Sequence, residues 1–439
     1  MDFCTIKVKT LKNGTLEVYP AFRIMASKDL LVRGGKFYAV WNEEANKWST
    51  DILDVARIID KEIYAKRDEI KVENPVSVKT LGDFESLKWT EFINYLNKMP
   101  DSTVSLNQKM IFADTVTTKE DYSSFRLDYS LKEGDISNYL ELVSILYEDE
   151  ERQKFEWAIG SIIAGDSIDI QKFEVFFGPP GCGKGTVLQI IDSIFKGYTS
   201  YMDIGALASK SDLFSTEQFA RGPLVAIQTD GDLSRIEDNT KLNSIISHET
   251  ITVNEKFKSK YTIRSNSFLF MATNKPVMIT DALSGISRRL IDIRPTGNKV
   301  PAKKYHDLMD GIQFEIGAIA YHCLNIYKTL GKYYYETYVP IDMMFRTDYF
   351  FNFVEDNFNV FSSQKVTTLK QAYEMYIQFC DESALKGRMP KFKFRDELKN
   401  YFDDYREQYR IGDERYRSCY LGFKVSKFQI AAKVAEHIS

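Results

Sequence analysis

Residues 172–195, KFEVFFGPPGCGKGTVLQIIDSIF, join a short apolar run to an apolar-faced helical pattern through a turn containing four glycines and two prolines. No other segment constrains the fold as strongly. A strand, a glycine-rich turn and a helix in that order let successive backbone N–H groups point inward. The helix presents its positive end to the same place, and Lys184 can reach it as well. Such a turn cradles phosphate oxygens. Gly178, Pro179, Pro180, Gly181, Cys182, Gly183, Lys184, Gly185 and Thr186 are therefore the candidate nucleotide-binding residues.

A phosphate loop needs a carboxylate to hold Mg2+ and polarise the attacking water. The run LVAIQTDGD, residues 224–232, reads as a buried strand followed by Asp230 and Asp232. Asp230 is the favoured metal ligand, although an ordinary Asp-Gly turn would look the same. FLFMATNKP, residues 268–276, is a further apolar strand ending at Asn274. The amide of Asn274 can both donate to a γ-phosphate and accept from water, but a plain strand exit is the alternative. GISRRLIDI, residues 285–293, sets Arg288 and Arg289 before another apolar strand. A guanidinium fork stabilises charge on a transferring phosphoryl group; a surface ion pair would use the same residues. The position after Lys184 is Gly185, where a hydroxyl ordinarily meets Mg2+, so Thr186 is the substitute, as in adenylate-kinase-like loops ending Gly-Lys-Gly-Thr.

At 439 residues the chain should hold about three domains. Residues 1–130 alternate in short runs with turns at Asn13-Gly14 and Gly34-Gly35, followed by a helical pattern at 51–65 and a weak signal from 84 onward. They read as an accessory α/β domain. Residues 131–335 read as two helices (135–164), the phosphate loop, strands at 224–227, 261–263, 268–272 and 290–293, and a long helix at 303–330. Alternation of this kind implies an α/β core with a mostly parallel sheet. Residues 345–439 read as a small helical domain, with a helix starting at 392 and a two-stranded element at 416–420 and 423–425.

Composition narrows the chemistry. An apolar share of 44% and a charged share of 27% exclude wholesale disorder. No run approaches the roughly 18 apolar residues of a membrane span, and the start lacks an apolar signal core. Neither a membrane nor the secretory pathway is expected, and the cytoplasm is, or the host cytoplasm for a phage-encoded protein. Five scattered cysteines without a C-x-x-C pair fit a reducing compartment. His248, His306, His322 and His437 include no His-x-His pair and no H-E-x-x-H, which argues against a metal-dependent nickase and a zinc hydrolase. The net charge is −4, so contacts with nucleic acid must come from local basic patches.

Taken in order, GPPGCGKGT, LVAIQTDGD, FLFMATNKP and SRRLIDI resemble the superfamily 3 helicases, in particular the phage, plasmid and poxvirus primase-helicase branch. The likeness covers about residues 135–300. FYAVWNEEANKW resembles the region preceding the ATPase in that branch, and the C-terminal segment resembles its winged-helix tail. The resemblance implies an AAA+-like P-loop ATPase core that assembles as a homo-oligomer, a hexameric ring. Such a ring hydrolyses ATP at subunit interfaces and translocates on single-stranded DNA. Lys184 and the loop amides would bind ATP, Thr186 and Asp230 would serve Mg2+, and Asp232 would assist the water. Asn274 would sense the γ-phosphate, and Arg289 or Arg288 would act on the neighbouring subunit's ATP. In the family, NEKFKSKYTIR, residues 254–264, corresponds to the hairpin lining the pore. Lys256, Lys258 and Lys260 are the candidate DNA contacts, since cations two apart on a strand share one face; a solvated edge strand is the alternative.

A second basic patch, Lys386, Arg388, Lys391, Lys393 and Arg395, could seat a helix on duplex phosphates, but DDYREQYRIGDER restores negative charge immediately afterwards. Residues 1–130 are short for a priming domain, so a primase or DNA polymerase would be a separate chain. Two other readings stand beside the helicase. One is a P-loop small-molecule phosphotransferase, suggested by Gly-Lys-Gly-Thr. The other is an ATP-gated DNA-binding initiator without turnover.

Overall fold

Five short strands form one all-parallel sheet at the centre of the molecule. Across the sheet their order is Thr199–Tyr201, Val225–Gln228, Phe268–Thr273, Phe173–Phe177 and Leu290–Ile293. The first strand in sequence therefore lies between the last two. The computed structural model describes residues 1–73, 78–80, 89–208, 214–232, 239–254, 260–277, 285–340, 343, 349–382, 388–411 and 414–425.

A parallel sheet covered on both faces requires near-continuous apolar strands, and every residue of Phe268–Thr273 is buried. Alternate side chains enter two different cores. Phe176, Ile227, Phe270 and Ile291 join the layer built on the helices Asp149–Ala164 and Ala302–Leu330. Val175, Ala226, Leu269 and Met271 join the opposite layer, which continues into Phe350, Phe353, Phe394 and Phe402. The two long helices approach closely at Gly160, where a Cβ would lie 2.2 Å from the carbonyl oxygen of Cys323. Met110, Phe112 and Leu127 belong to the first of these cores.

Before the sheet, Phe3, Val18, Val40, Ile59, Ile63 and Phe92 form a separate core. The helix Leu53–Glu73 supplies Val55, Ile59 and Ile63, the spacing expected from sequence, and runs further than residue 65. Gly34 and Gly35 form a two-residue hairpin turn with φ of 59° and 66°, which only glycine adopts readily.

Two expectations need correction. The strand Tyr261–Arg264 does not join the parallel sheet; it pairs antiparallel with Thr250–Val253 as a separate hairpin. Its pattern of half-buried and exposed residues suits a ribbon rather than a covered sheet. The C-terminal two-stranded element is Phe402–Ile411 paired with Glu414–Phe423, not 416–420 with 423–425. Charged residues on both faces of the first strand hide any apolar period, so from sequence 392–402 reads as the start of a helix. The helix itself, Lys391–Leu398, ends earlier.

One residue breaks the apolar rule of the sheet. Glu174 lies in the middle of Phe173–Phe177 with no exposed surface, and neither carboxylate oxygen has a hydrogen-bond partner among the described residues. Burial holds its pKa well above the carboxylate range, opposed by nearby Lys154. The native state thus keeps a proton that the unfolded chain loses above its ordinary pKa of about 4.3. Stability from this residue falls as pH rises from there. Glu174→Met should raise the unfolding free energy at pH 8 by about 1–3 kcal/mol, with the gain shrinking toward pH 4.5 in denaturant titrations. A loss of stability at every pH would contradict this account.

Candidate active site

Because the strands are parallel, their carboxyl ends share one edge, and the first strand's placement between the last two opens a crevice there. The glycine-rich loop leaves Phe173–Phe177 at this edge and enters the helix Lys184–Ile194. Asp230 follows Val225–Gln228, and Asn274 follows Phe268–Thr273. The topology alone therefore collects them around one cavity of about 570 Å³. Pro180, Gly181, Gly183, Lys184, Gly185 and Thr186 line it together with Asp230 and Asn274.

The loop holds a conformation that side chains resist. Gly181 and Gly183 have φ of 74° and 94°. A Cβ on Gly183 would stand 2.9 Å from both methyl groups of Leu146, and one on Gly178 3.1 Å from Cys182 Sγ. Cys182 is buried.

Lys184 is only 8% exposed. Its ammonium donates to the carbonyls of Gly178 at 2.7 Å and Pro179 at 2.8 Å, and to Asn274 Oδ1 at 2.8 Å. All three are neutral acceptors, and no carboxylate pairs with Lys184 among the described residues. Burying a charge without a counter-charge is costly, so this geometry fits an anion delivered to the loop. Asn274 in turn donates from Nδ2 to Asp230 Oδ1 at 3.4 Å. Lys184, Asn274 and Asp230 thus form a chain across the mouths of three strands.

The two aspartates separate. Asp230 is exposed and faces the cavity. Asp232 does not line it, and its carboxylate is ion-paired with Lys275. Thr186 Oγ1 lies 3.5 Å from the hydroxyl of Tyr305.

The arginines also separate, and neither is near the loop. They precede Leu290, which is in register with Phe173, so they sit at the amino edge of the sheet. A strand of five residues, about 17 Å, divides them from the glycine loop. Arg289 is buried and committed, donating to Ser247 Oγ at 2.7 Å and the Gly285 carbonyl at 2.9 Å. Arg288 is exposed, and its guanidinium has no hydrogen bond or ion pair among the described residues. Beside it the Lys172 ammonium donates to the Arg288 carbonyl at 2.5 Å. Burial lowers the Lys172 pKa to about 8.

Lys260 is exposed just before the second strand of the hairpin Thr250–Val253/Tyr261–Arg264. Lys256 and Lys258 lie outside the described residues. No helix among the described residues is long and apolar enough to cross a membrane.

Sequence reasoning missed one wall of the cavity. Leu146, Asn298, Lys299, Val300 and Tyr305 complete it. The turn after Leu290–Ile293 is tied to the end of the helix Ser137–Leu146 by Thr296, whose N–H donates to the Leu146 carbonyl at 2.9 Å and whose hydroxyl donates to the Ile145 carbonyl at 2.8 Å. These residues are far apart in sequence and carry no motif.

Residues 176–289 match the model of DUF5906, described as a family of unknown function. Among solved structures the chain is similar to the A form apo structure of the NrS-1 C-terminal region, with 14% identity and a TM-score of 0.41 over 69% of this chain and 81% of that one. It is also similar to the apo structure of NrS-1 residues 305–718, with 13% identity and a TM-score of 0.40 over 68% and 80% of the two chains. No curated protein matches.

Gly183→Ala tests the loop geometry. The left-handed conformation alone should cost about 1–2 kcal/mol, and the contact with Leu146 should add to it in chemical denaturation. Undiminished stability would show that the loop is not held against Leu146.

Proposed function

We propose that this chain is an ATP-driven replicative DNA helicase of a phage or mobile element, working as a homo-oligomeric ring, a hexamer, on single-stranded DNA. The observation that carries the reading is the buried Lys184 ammonium, which among the described residues has only neutral partners at the head of a glycine-rich strand–loop–helix turn. A triphosphate would supply the counter-charge, and the loop amides and helix N-terminus add donors. On this reading the core is an AAA+-like P-loop ATPase, and the C-terminal region is winged-helix-like.

Each nearby group then has a task. Lys184 leaves the Gly178 and Pro179 carbonyls for phosphate oxygens. Thr186 and Asp230 would hold Mg2+, which neutralises charge between phosphate oxygens. Asn274, released by Lys184, has both a donor and an acceptor free to orient water against the terminal phosphate. The ion pair with Lys275 leaves Asp232 outside the cavity, so the polarising carboxylate is assigned to Asp230.

Arg288 is the residue assigned to the neighbouring subunit's ATP. It is exposed, lacks a described partner, and stands at the edge of the sheet opposite its own loop. Arg289 positions that turn through Ser247 and Gly285. Lys260, with Lys256 and Lys258, is assigned to the DNA strand in the pore. A primase or DNA polymerase would act as a separate chain.

ATP hydrolysis measured with and without single-stranded DNA tests the proposal. Wild type should be stimulated several-fold by DNA, and Asp230→Ala should lose at least about a hundredfold in rate, the scale expected for removing a group that stabilises phosphoryl transfer. Basal turnover indifferent to both DNA and Asp230→Ala would favour a phosphotransferase. DNA binding without turnover would favour an ATP-gated initiator.

A further inference from the structure

The two feet of the hairpin Thr250–Val253/Tyr261–Arg264 meet at a histidine that the candidate site does not use. His248 stands two residues before Thr250, and Ser265 follows Arg264, which pairs with Thr250. Both His248 and Ser265 are buried. The imidazole lies between two main-chain carbonyls. Nδ1 is 3.0 Å from the Ser265 oxygen, at the hairpin foot. Nε2 is 3.1 Å from the Ile170 oxygen, just after the turn Ser167–Asp169 that leads toward the central strand Phe173–Phe177. The backbone at His248 is left-handed, with φ of 54°. A side chain other than glycine persists in that conformation only where its surroundings fix it. Arg264 contributes, its Nε donating to the His248 carbonyl at 3.0 Å. Ser247, one residue earlier, accepts from Arg289. The turn that presents Arg288 and the root of the hairpin are therefore joined through two consecutive residues.

One ring between two acceptors is a frustrated arrangement. A neutral imidazole carries a single N–H, so it donates to Ser265 or to Ile170 but not to both at once. The other nitrogen then turns its lone pair toward a carbonyl oxygen. Only the imidazolium satisfies both carbonyls. Burial lowers the pKa of His248, against the pull of hydrogen bonds to the Ile170, Ser265 and Ser167 carbonyls. The uncharged ring is therefore the form present near pH 7. Among the described residues the charged groups facing the ring are Arg264, which opposes its protonation, and Asp169, which favours it and is ion-paired with Lys332. The neighbouring Glu249 is exposed.

We propose that His248 is a positioning residue, a latch that gives its one N–H either to Ser265 at the hairpin foot or to Ile170 in the body, and that protonation locks it by making both bonds. In the first setting the two feet of the hairpin are tied to each other, and the ring is free of the body. In the second the ring anchors to the root of the central strand, and the Ser265 foot is let go. This deepens the proposed function, and it rests on that reading for the statements that the hairpin meets DNA and that Arg288 meets ATP. A coupling element needs two settings of similar energy that both sites bias, and the two carbonyls at 3.0 and 3.1 Å supply them. Displacement of the hairpin by a DNA strand would reach the Arg288 turn through Ser247 and Arg289. An imidazolium, bonded at both ends, would resist that displacement.

Ring nitrogen shifts of the full chain, labelled with 15N at its four histidines, read the latch directly, and ATP hydrolysis across pH reads its consequence. The His248 signals are those missing from His248→Asn or His248→Gln. They should show both neutral tautomers in exchange near pH 7 and the imidazolium at lower pH. A single tautomer that never exchanges would overturn the proposal. The two variants each keep one setting and cannot be protonated. The Asn amide nitrogen falls near the Nδ1 position and suits left-handed backbone; the Gln amide nitrogen falls near Nε2. In wild type the ratio of DNA-stimulated to basal hydrolysis should fall at least about threefold between pH 7.5 and pH 5.5, as the imidazolium forms. Both variants should lose that fall. An acid fall of the same size in the variants would also overturn the proposal. The ring shifts are read without nucleotide or DNA, so failure of the latch and failure of the ATPase reading are distinguishable.

Discussion

A buried ammonium with no anionic partner among the described residues organises the candidate site. Lys184 is held by two carbonyls of its own loop and by Asn274, which is held in turn to Asp230. Neutral acceptors satisfy the three donors of the ammonium without cancelling its charge, which keeps a strong bias toward any polyanion that enters the loop. The arrangement is also a relay. Any group that takes Lys184 from Asn274 frees the asparagine amide beside Asp230, so on the proposed function phosphate binding would also release Asn274 to orient water.

Sheet topology supplies the second constraint. Parallel strands give the molecule two unlike edges, and the first strand's central position brings the glycine loop, Asp230 and Asn274 to one of them. Arg288 is fixed at the other by the register of Leu290 with Phe173. An exposed guanidinium and the Lys184 cavity on opposite edges cannot serve each other within one molecule. On the proposed function they would do so between molecules stacked head to tail, a heterologous contact that gives a ring when its rotation closes. Arg289 contributes by staying inside, where Ser247 and Gly285 fix the turn that presents Arg288.

Much of this was legible in the sequence because it rests on local chemistry. Glycines at 181 and 183 announce a turn that other residues resist, and four apolar runs marked four of the five central strands. The long helix Ala302–Leu330 showed its period over many turns. What was not legible depends on distant partners. Nothing near Leu146 signals that it walls the cavity, nor near Thr296 that it ties the 298–300 segment to that wall. Arg288 and Arg289 are equivalent as a dipeptide and differ only because one meets Ser247. The C-terminal hairpin was misread because charges occupy both its faces and hide any apolar period. Glu174 sits inside an apolar strand with no pattern to show that it would be buried without a partner.

The measurement that bears most directly on the central claim is hydrolysis by mixtures of two inactive subunits. On the proposed function Lys184→Ala removes the ammonium that binds phosphate, and Arg288→Ala removes the guanidinium offered to a neighbour. If the site is shared, each variant alone should be nearly inactive. Mixtures should regain activity at interfaces where an intact loop faces an intact arginine, with a maximum near equal proportions. No recovery, although mixed assemblies are seen by native mass spectrometry, would contradict the account, and so would full activity of Arg288→Ala on its own.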